Sequence, residues 1–332
     1  MTVKITIIGL GRTGSSFGLA LGEHRQILHR IGHDKDYTIG QEAQKKGVID
    51  QYVHNLHEAV KDADVVLLTT PFHQILGILE EISADLKEGT LVLETSHAKA
   101  KIAEWMKTYL PQSCSYVGLT PSINPAYLTD EERMPRGDLY KSSLMAICAP
   151  TNTPAEAYKL ATDIVNLVGA RPLFSDLLEV DGLLAEAEII PQLISSALVR
   201  AMTLQPGWQE ARKFAGKNFW DIGAPSGRSS SAQELAQTWK ANEQNLERLL
   251  DNVIQTLQIW REQLHQGDLD QVVGELNQAQ QDFRAWQTER QKSEWNQPVA
   301  TGGWDQVPTS SERLGGLFGM NLFNKKKKGD DK

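Results

Sequence analysis

Three observations on this 332-residue chain predict a doubly wound, parallel α/β sheet followed by an all-helical domain. Short β-rich runs alternate with helical stretches up to about residue 175. A glycine-rich turn, Gly9-Leu10-Gly11-Arg12-Thr13-Gly14, joins the first run to the first helix. Strand patterning then stops, and apolar residues recur at three- and four-residue steps.

Residues 3–8 (VKITII) form a short apolar run of the kind buried in a parallel sheet. A helical stretch, SSFGLALGEH, follows the glycine turn. Further strands are expected at 27–34, 64–70, 89–95, 115–119, 143–150 and 171–174, and 47–53 has room for a short one. Helices are expected at 38–46, from His73 to Ser83, at 99–109 and at 154–168. Residues 177–202 read as one long apolar helix that Pro191 bends or breaks. Leu235, Trp239, Leu246, Leu249, Val253, Leu257, Trp260 and Leu264 mark an amphipathic helix over 233–265. Leu269, Val272, Leu276, Phe283 and Trp286 mark another, giving a helical hairpin around Gly267. Its apolar stripe is covered either by a second copy of the chain or by intrachain packing. The expected domains are 1–175, 176–290 and a polar tail, 291–332. That tail is a disordered extension, or its piece 314–323 and Lys325 to Lys328 touch an anionic membrane surface or a partner.

Hydrophobic content of 40% and charged content of 23% fit a globular protein. A net charge of −8 and a pI near 5.6 argue against a nucleic-acid binder but say little about small anionic substrates. Cys114 and Cys148 lack metal-ligand spacing and read as two reduced thiols, so no metal site is expected. The N-terminus shows no signal-peptide pattern, and no run approaches the ~18 apolar residues of a membrane span, so the cytoplasm is expected.

The G-x-G-x-x-G turn carries specific chemistry. Gly9 permits the tight turn, Gly11 lets the backbone approach a diphosphate, and Gly14 lets helix and strand pack closely. Arg12 and Thr13 lie where the helix N-terminus faces that diphosphate. Asp34, twenty residues past Gly14, is placed to accept the ribose hydroxyls. This Rossmann pattern predicts a nicotinamide dinucleotide, with NAD favoured. Arg30, His33 and Lys35 nearby keep NADP open. Thr69, Thr70 and Pro71, at the end of a later strand, should border the cofactor, and His73 reads as a helix-start residue.

From these residues outward the chain resembles the prephenate/arogenate dehydrogenase family over about residues 1–290. The supporting pieces are IIGLGRTGSSFGLAL, the run Ala43, Gly47, Ile49 and Asp50, DADVVLLTTP, ETSHAK, VGLTPSINP, GLLAEAEIIPQLISSAL and FWDI. The resemblance implies a doubly wound parallel Rossmann sheet followed by an all-helical dimerisation domain. It also implies NAD(P)-dependent oxidative decarboxylation of a carboxylated cyclohexadienol, in tyrosine biosynthesis, by a homodimer. The family's proton-accepting histidine, in H-P-x-x-G, falls on Thr120 of Thr120-Pro121-Ser122-Ile123-Asn124. A threonine is no base near neutral pH. The family's D-x-x-S-x-K motif reads Glu94-Thr95-Ser96-His97-Ala98-Lys99. His97 thus becomes a candidate acid/base group, or a polar lining or capping residue, with Ser96 and Lys99 beside it. Thr120, Ser122 and Gln192 are implied in the substrate site, with Glu188 facing the same region. The family's carboxylate-binding arginine falls on Lys213, next to Arg212. Two other readings remain: an oxidoreductase of the β-hydroxyacid or imine-reducing type, and a non-catalytic NAD-binding sensor.

Overall fold

The computed structural model describes residues 2–130, 132–227 and 231–292. Its strands are β1 (Val3–Ile8), β2 (Leu28–His33), β3 (Gln51–Tyr52), β4 (Val65–Leu68), β5 (Leu91–Glu94), β6 (Ser115–Pro121), β7 (Leu144–Cys148) and β8 (Arg171–Phe174). They form one sheet in the order β3-β2-β1-β4-β5-β6-β7-β8. The order reverses between β1 and β4, and that reversal opens a crevice at the carboxyl ends of the strands.

Helices α1 (Arg12–Leu21), α2 (Tyr37–Lys45), α3 (Leu56–Val60), α4 (Phe72–Ile82), α5 (Lys99–Tyr109) and α6 (Ala155–Leu167) cover the sheet. Side chains alternate across it, as the two-residue period requires. Val65 and Leu67 pack with Phe17, Leu21, Ile164 and Val165 from α1 and α6. Val66 and Leu68 pack with Ile75, Leu79, Ile102 and Met106 from α4 and α5.

The sheet departs from the expected all-parallel pattern at one pair. β6 and β7 run antiparallel, from Gly118 opposite Cys148 to Pro121 opposite Met145. Among its described residues the connection 122–143 holds a single short 3₁₀ turn, Pro125–Tyr127, and no α-helix. Without a crossover helix the chain folds back beside β6. The strand expected at 47–53 shrinks to Gln51–Tyr52.

The second domain is helical: α7 (Leu177–Leu184), α8 (Ile190–Thr203), α9 (Trp208–Ala211), α10 (Lys217–Gly227), α11 (Ala232–Ala241), α12 (Glu243–Gln266) and α13 (Leu269–Lys292). The run from α7 into α8 passes through a π-helical turn, Ala185–Ile189. Pro191 has no N–H to give the carbonyl four residues back, and the helix accommodates this with a wider turn just before it. By length and composition Leu177–Thr203 is apolar enough to cross a membrane, contrary to the expectation from the sequence. It packs against α5, β7, α10 and α12, and most of its apolar window stays at the surface of the chain.

The helix expected over 233–265 is broken at Asn242, which is buried and donates through Nδ2 to the Asp181 carbonyl at 2.9 Å. The hairpin of α12 and α13 turns at Gly267, whose φ of +73° suits a residue without a side chain. The segments 314–323 and Lys325 to Lys328, expected to touch a membrane surface or a partner, lie outside the described residues.

Candidate active site

The glycine turn is a cradle that side chains would fill. Gly9 has φ +91°, and a Cβ on it would lie 2.9 Å from Thr70 Cγ2. A Cβ on Gly14 would sit 2.0 Å from the Gly9 carbonyl oxygen, inside the helix-to-strand contact. Thr69 Oγ1 fixes the turn from the neighbouring strand end by donating to the Gly9 carbonyl at 2.6 Å. Gly11 differs. It faces open space, and as the N-cap of α1 it offers no side-chain acceptor, so the first amides of that helix point unpaired into the crevice.

Arg12 opens α1, with Thr13 after it. Its Nε and Nη2 are buried and have no partner among the described residues. Burial and the nearby charge of Arg133 both lower its pKa. A buried guanidinium without acceptors is costly unless an anion joins it. The helix amides and these two nitrogens fit a diphosphate.

Asp34 leaves the end of β2 and accepts from Leu10 N at 2.8 Å and from Asp36 N at 2.9 Å. Its carboxylate ties the glycine turn to the next strand and lines a cleft of about 910 Å³ with Gly9, Gly11, Thr70 and Pro71. His33, Lys35 and His73 also line this cleft. Burial lowers the pKa of His33. Arg30 does not belong to it, which corrects the sequence expectation. Its side chain is fully buried against α1 and the 47–50 segment, outside the cleft lining. Nε and Nη2 grip the Asp50 carboxylate at 3.0 and 2.5 Å, and Nη1 donates to Gly18 O and Val48 O. Burial pushes the Asp50 carboxyl up, but these bonds outweigh it and hold it below its ordinary value. Arg30 is therefore unable to meet a 2′-phosphate.

Three hydroxyls stand at or just past the carboxyl ends of adjacent strands: Thr70 after β4, Ser96 after β5 and Thr120 in β6. The oxygen of each is buried without a partner among the described residues. Between them the loop 95–98 is held from beneath. Lys99 is fully buried and its Nζ donates to Glu94 Oε1 at 2.8 Å and to Leu119 O at 2.7 Å. Tyr116 Oη and Ser96 N also donate to the Glu94 carboxylate. Asp181, from α7, accepts from the amides of Lys99 and Ala100 at 2.6 and 2.9 Å. Lys99 is thus consumed in the core and holds the loop instead of facing a ligand, which corrects its assignment as a catalytic group.

His97 projects from this loop into a second cleft of about 460 Å³. The residue is exposed to solvent within this cleft. Desolvation, reinforced by the Lys99 charge and opposed by Glu94, lowers its pKa to about 4. The imidazole is therefore neutral at physiological pH and able to accept a proton. Arg133, Glu188, Gln192, Glu234 and Trp239 line the same cleft, and Glu234 lines both clefts. The π turn of the second domain brings Glu188 here, a common use of such turns.

Ser122 sits at the edge of the β6 loop, where Arg290, in the last turn of α13, donates to its Oγ and to Ile123 O, each at 2.5 Å. Arg212 and Lys213 lie elsewhere. Both are exposed, Arg212 Nε donates to the Gln209 carbonyl, Lys213 pairs with Glu210 at 2.6 Å, and neither lines either cleft. Sequence reasoning missed Arg133, Glu234 and Arg290. The positive φ of Arg133, +50°, becomes visible only in the backbone.

A diphosphate-ready helix terminus at the switch point of the sheet, opening into a cleft walled by helices, is the arrangement of a dinucleotide-binding protein. Residues 17–173 match the family described as prephenate dehydrogenase, nucleotide-binding domain. The chain is 27% identical over 205 residues to the prephenate dehydrogenase of Lactococcus lactis, covering 59% of this chain and 53% of that protein. It is 23% identical over 224 residues to that of Bacillus subtilis, covering 67% and 60%. It therefore spans between half and two thirds of the length of these relatives. In fold it is similar to the A. aeolicus prephenate dehydrogenase solved with hydroxyphenyl propionate and NAD+, with a TM-score of 0.75, 18% identity and coverage of 86% and 98%. The Synechocystis arogenate dehydrogenase gives a TM-score of 0.68, 19% identity and coverage of 86% and 100%. The N-terminal part of the chain, residues 17–173, is thus similar to the nucleotide-binding domain of the prephenate dehydrogenase family.

Proposed function

We propose that this protein is an NAD-dependent dehydrogenase that oxidatively decarboxylates a cyclohexadienol of the prephenate or arogenate type, with His97 as the proton acceptor. The observation that carries this reading is the imidazole of His97, open in a cleft that adjoins the dinucleotide crevice. The dinucleotide, held by the α1 amides and Arg12 with Asp34 toward its ribose, supplies the hydride acceptor.

His97 Nδ1 or Nε2 takes the proton of the ring hydroxyl as hydride leaves the same carbon. A pKa near 4 makes this a weak base. It suffices because the hydroxyl turns into that of a protonated carbonyl, a strong acid, as the hydride departs. The ring carboxylate then leaves as carbon dioxide. The electron pair of the broken bond aromatises the ring, and the proton held by His97 returns to the oxygen to give a phenol. Ser96, Thr120 and Thr70 offer unpartnered hydroxyls around this region, with Ser122 and Gln192 further out, and Lys99 acts as a positioning residue beneath His97. With Thr120 in place of the family's histidine, the imidazole comes from the neighbouring strand.

A second copy of the chain is proposed to cover the helical domain. Leu257, Leu264, Leu269, Leu276 and Phe283 on α12 and α13 are exposed, as are Phe214 at 88% and Trp220 at 69%. Analytical ultracentrifugation showing a monomer at micromolar concentration would remove the homodimer from the proposal.

Turnover is tested by adding prephenate or arogenate with NAD and following absorbance at 340 nm. NAD binding by calorimetry without turnover of either compound would defeat the enzyme reading and favour a sensor.

A further inference from the structure

We infer that the smaller cleft selects a substrate whose side chain ends in an α-amino acid head group, an ammonium beside a carboxylate, over the corresponding α-keto acid, with Glu234 and Glu188 as the specificity-determining residues. This rests on the reaction proposed above.

Among the described residues, the charged groups lining that cleft are one guanidinium, Arg133, and two carboxyls, Glu188 and Glu234. His97, the fourth titratable group of the lining, is neutral near pH 7. Arg133 is held in a left-handed conformation that a non-glycine residue adopts only when its surroundings enforce it. It is close enough to Glu188 to act on that carboxyl, which burial raises and which Arg133 and Arg290 pull back down. Glu188 comes from the π turn of the second domain, and Arg133 from the β6–β7 connection of the first. A cation and an anion thus face one ligand from two domains.

Glu234 supplies the decisive feature. It lies in the first turn of α11, where its amide is capped by Ser231 Oγ at 3.1 Å. Its Oε2 is buried and accepts nothing among the described residues. A buried acceptor without a donor is costly, and an ammonium brings three donors. A keto oxygen is itself an acceptor and would meet this carboxylate with repulsion. The overall charge points the same way. A cyclohexadienol bearing a ring carboxylate and a keto-acid side chain is a dianion. Its amino-acid counterpart carries a single net negative charge, which suits a cleft with two carboxyls and one guanidinium. The side-chain carboxylate has Arg133 to pair with, a role that the exposed Arg212 and Lys213 do not fill here. Polar groups built for a hydrogen-bonding partner discriminate strongly against an analogue lacking it.

The test compares kcat/KM for arogenate and prephenate in the full chain with saturating NAD, then in Glu234→Gln and Glu188→Gln. It adds calorimetric affinities for the two products, L-tyrosine and 4-hydroxyphenylpyruvate. The expected result is a preference for arogenate of at least about 10-fold, and a fall in that ratio of about 10-fold in Glu234→Gln, the scale of one charge-assisted hydrogen bond. Glu188→Gln should lower the ratio as well, and thermal melts show whether each variant is folded. Equal or better use of prephenate, or an unchanged ratio in both folded variants, overturns the inference. Turnover of neither compound defeats the proposed reaction, and product binding then decides. Tighter binding of tyrosine that is lost in Glu234→Gln supports the head-group selection, and the absence of that preference overturns it.

Discussion

At pH 5.5 an ordinary histidine, with a pKa of about 6.5, is only about 9% neutral. His97, with its pKa lowered to about 4, should be about 97% neutral at the same pH. The cause is structural. Desolvation at the cleft wall is the larger cause, the buried ammonium of Lys99 adds to the cost of a second positive charge, and Glu94 relieves part of it. If His97 accepts the substrate proton, kcat/KM for the preferred cyclohexadienol should stay near its plateau down to pH 5.5, about tenfold above what a histidine of ordinary pKa permits. Initial rates at 340 nm between pH 4.5 and 8 measure this. The NMR titration of the His97 ring proton, assigned by its loss in His97→Asn, measures the same constant without turnover. His97→Asn should itself lower kcat by about 10²- to 10⁴-fold, the usual contribution of a positioned base. A titration midpoint of 6 to 6.5 in either experiment, or full activity in His97→Asn, would refute the reasoning. The shift also carries a stability consequence. Because the folded pKa lies below the unfolded one, the contribution of the neutral ring is complete above about pH 6.5 and is lost as pH falls from there through about 4.

Other perturbations follow from the cofactor crevice and from β2. Arg12→Ala should weaken NAD binding by about 1.5–3 kcal/mol, the range for a hydrogen bond to a charged group. It should leave the melting temperature nearly unchanged, because Nε and Nη2 have no protein partner to lose, and an unchanged dissociation constant by calorimetry would count against the diphosphate assignment. Gly14→Ala places a Cβ 2.0 Å from the Gly9 carbonyl. It should abolish measurable NAD binding in protein that remains folded by circular dichroism, and wild-type affinity would sink the packing argument. Arg30→Met strands the Asp50 carboxylate and two buried carbonyls, Gly18 and Val48. It should cost about 3–5 kcal/mol in urea unfolding, as breaking a buried pair does. An NADP-specific loss of binding in that variant, without destabilisation, would instead return Arg30 to the cofactor site.

What the sequence disclosed and what it concealed differ in range. The glycine turn and Asp34 were legible because the geometry they serve is local: one strand, one turn, one helix and the next strand end. The continuous apolar run Val65 to Leu68 likewise announced a strand buried on both faces. Arg30 misled because adjacency to Asp34 in sequence is not adjacency in space. It sits in the first half of β2 and is taken up by Asp50 and the carbonyls of Gly18 and Val48, whereas Asp34 follows the strand's carboxyl end. Asp50, its partner, is twenty residues away. Lys99 misled for a related reason: a motif position gives no direction, and this side chain turns back under the loop toward Glu94. Arg133, Glu234 and Arg290 were invisible because their significance comes from convergence. Arg290 meets Ser122 across 168 residues of chain, a separation at which no spacing rule operates. The antiparallel β7 was concealed because a buried strand has the same composition in either direction.

The correction at Lys99 changes how the site is understood to work. A buried Glu94–Lys99 pair is a poor source of stability, since desolvation offsets much of the attraction. Here it occupies the one place where orientation matters. Glu94 receives Ser96 N, Tyr116 Oη and Lys99 Nζ, so the strand end, its neighbour and the first residue of α5 are fixed to one carboxylate. Asp181 then binds the amides of Lys99 and Ala100, and its own carbonyl receives Asn242 from the break between α11 and α12. The same chain of contacts therefore runs from the sheet, under the His97 loop, through α7, to the helix that carries Glu234. The second domain is not merely docked on the first. Its Asp181 sets the loop that presents the imidazole, and its α11 sets the carboxylate that faces it across the cleft. Asp181 is a positioning residue on this account, and weakening it should raise KM and lower kcat together, because both walls of the cleft depend on it.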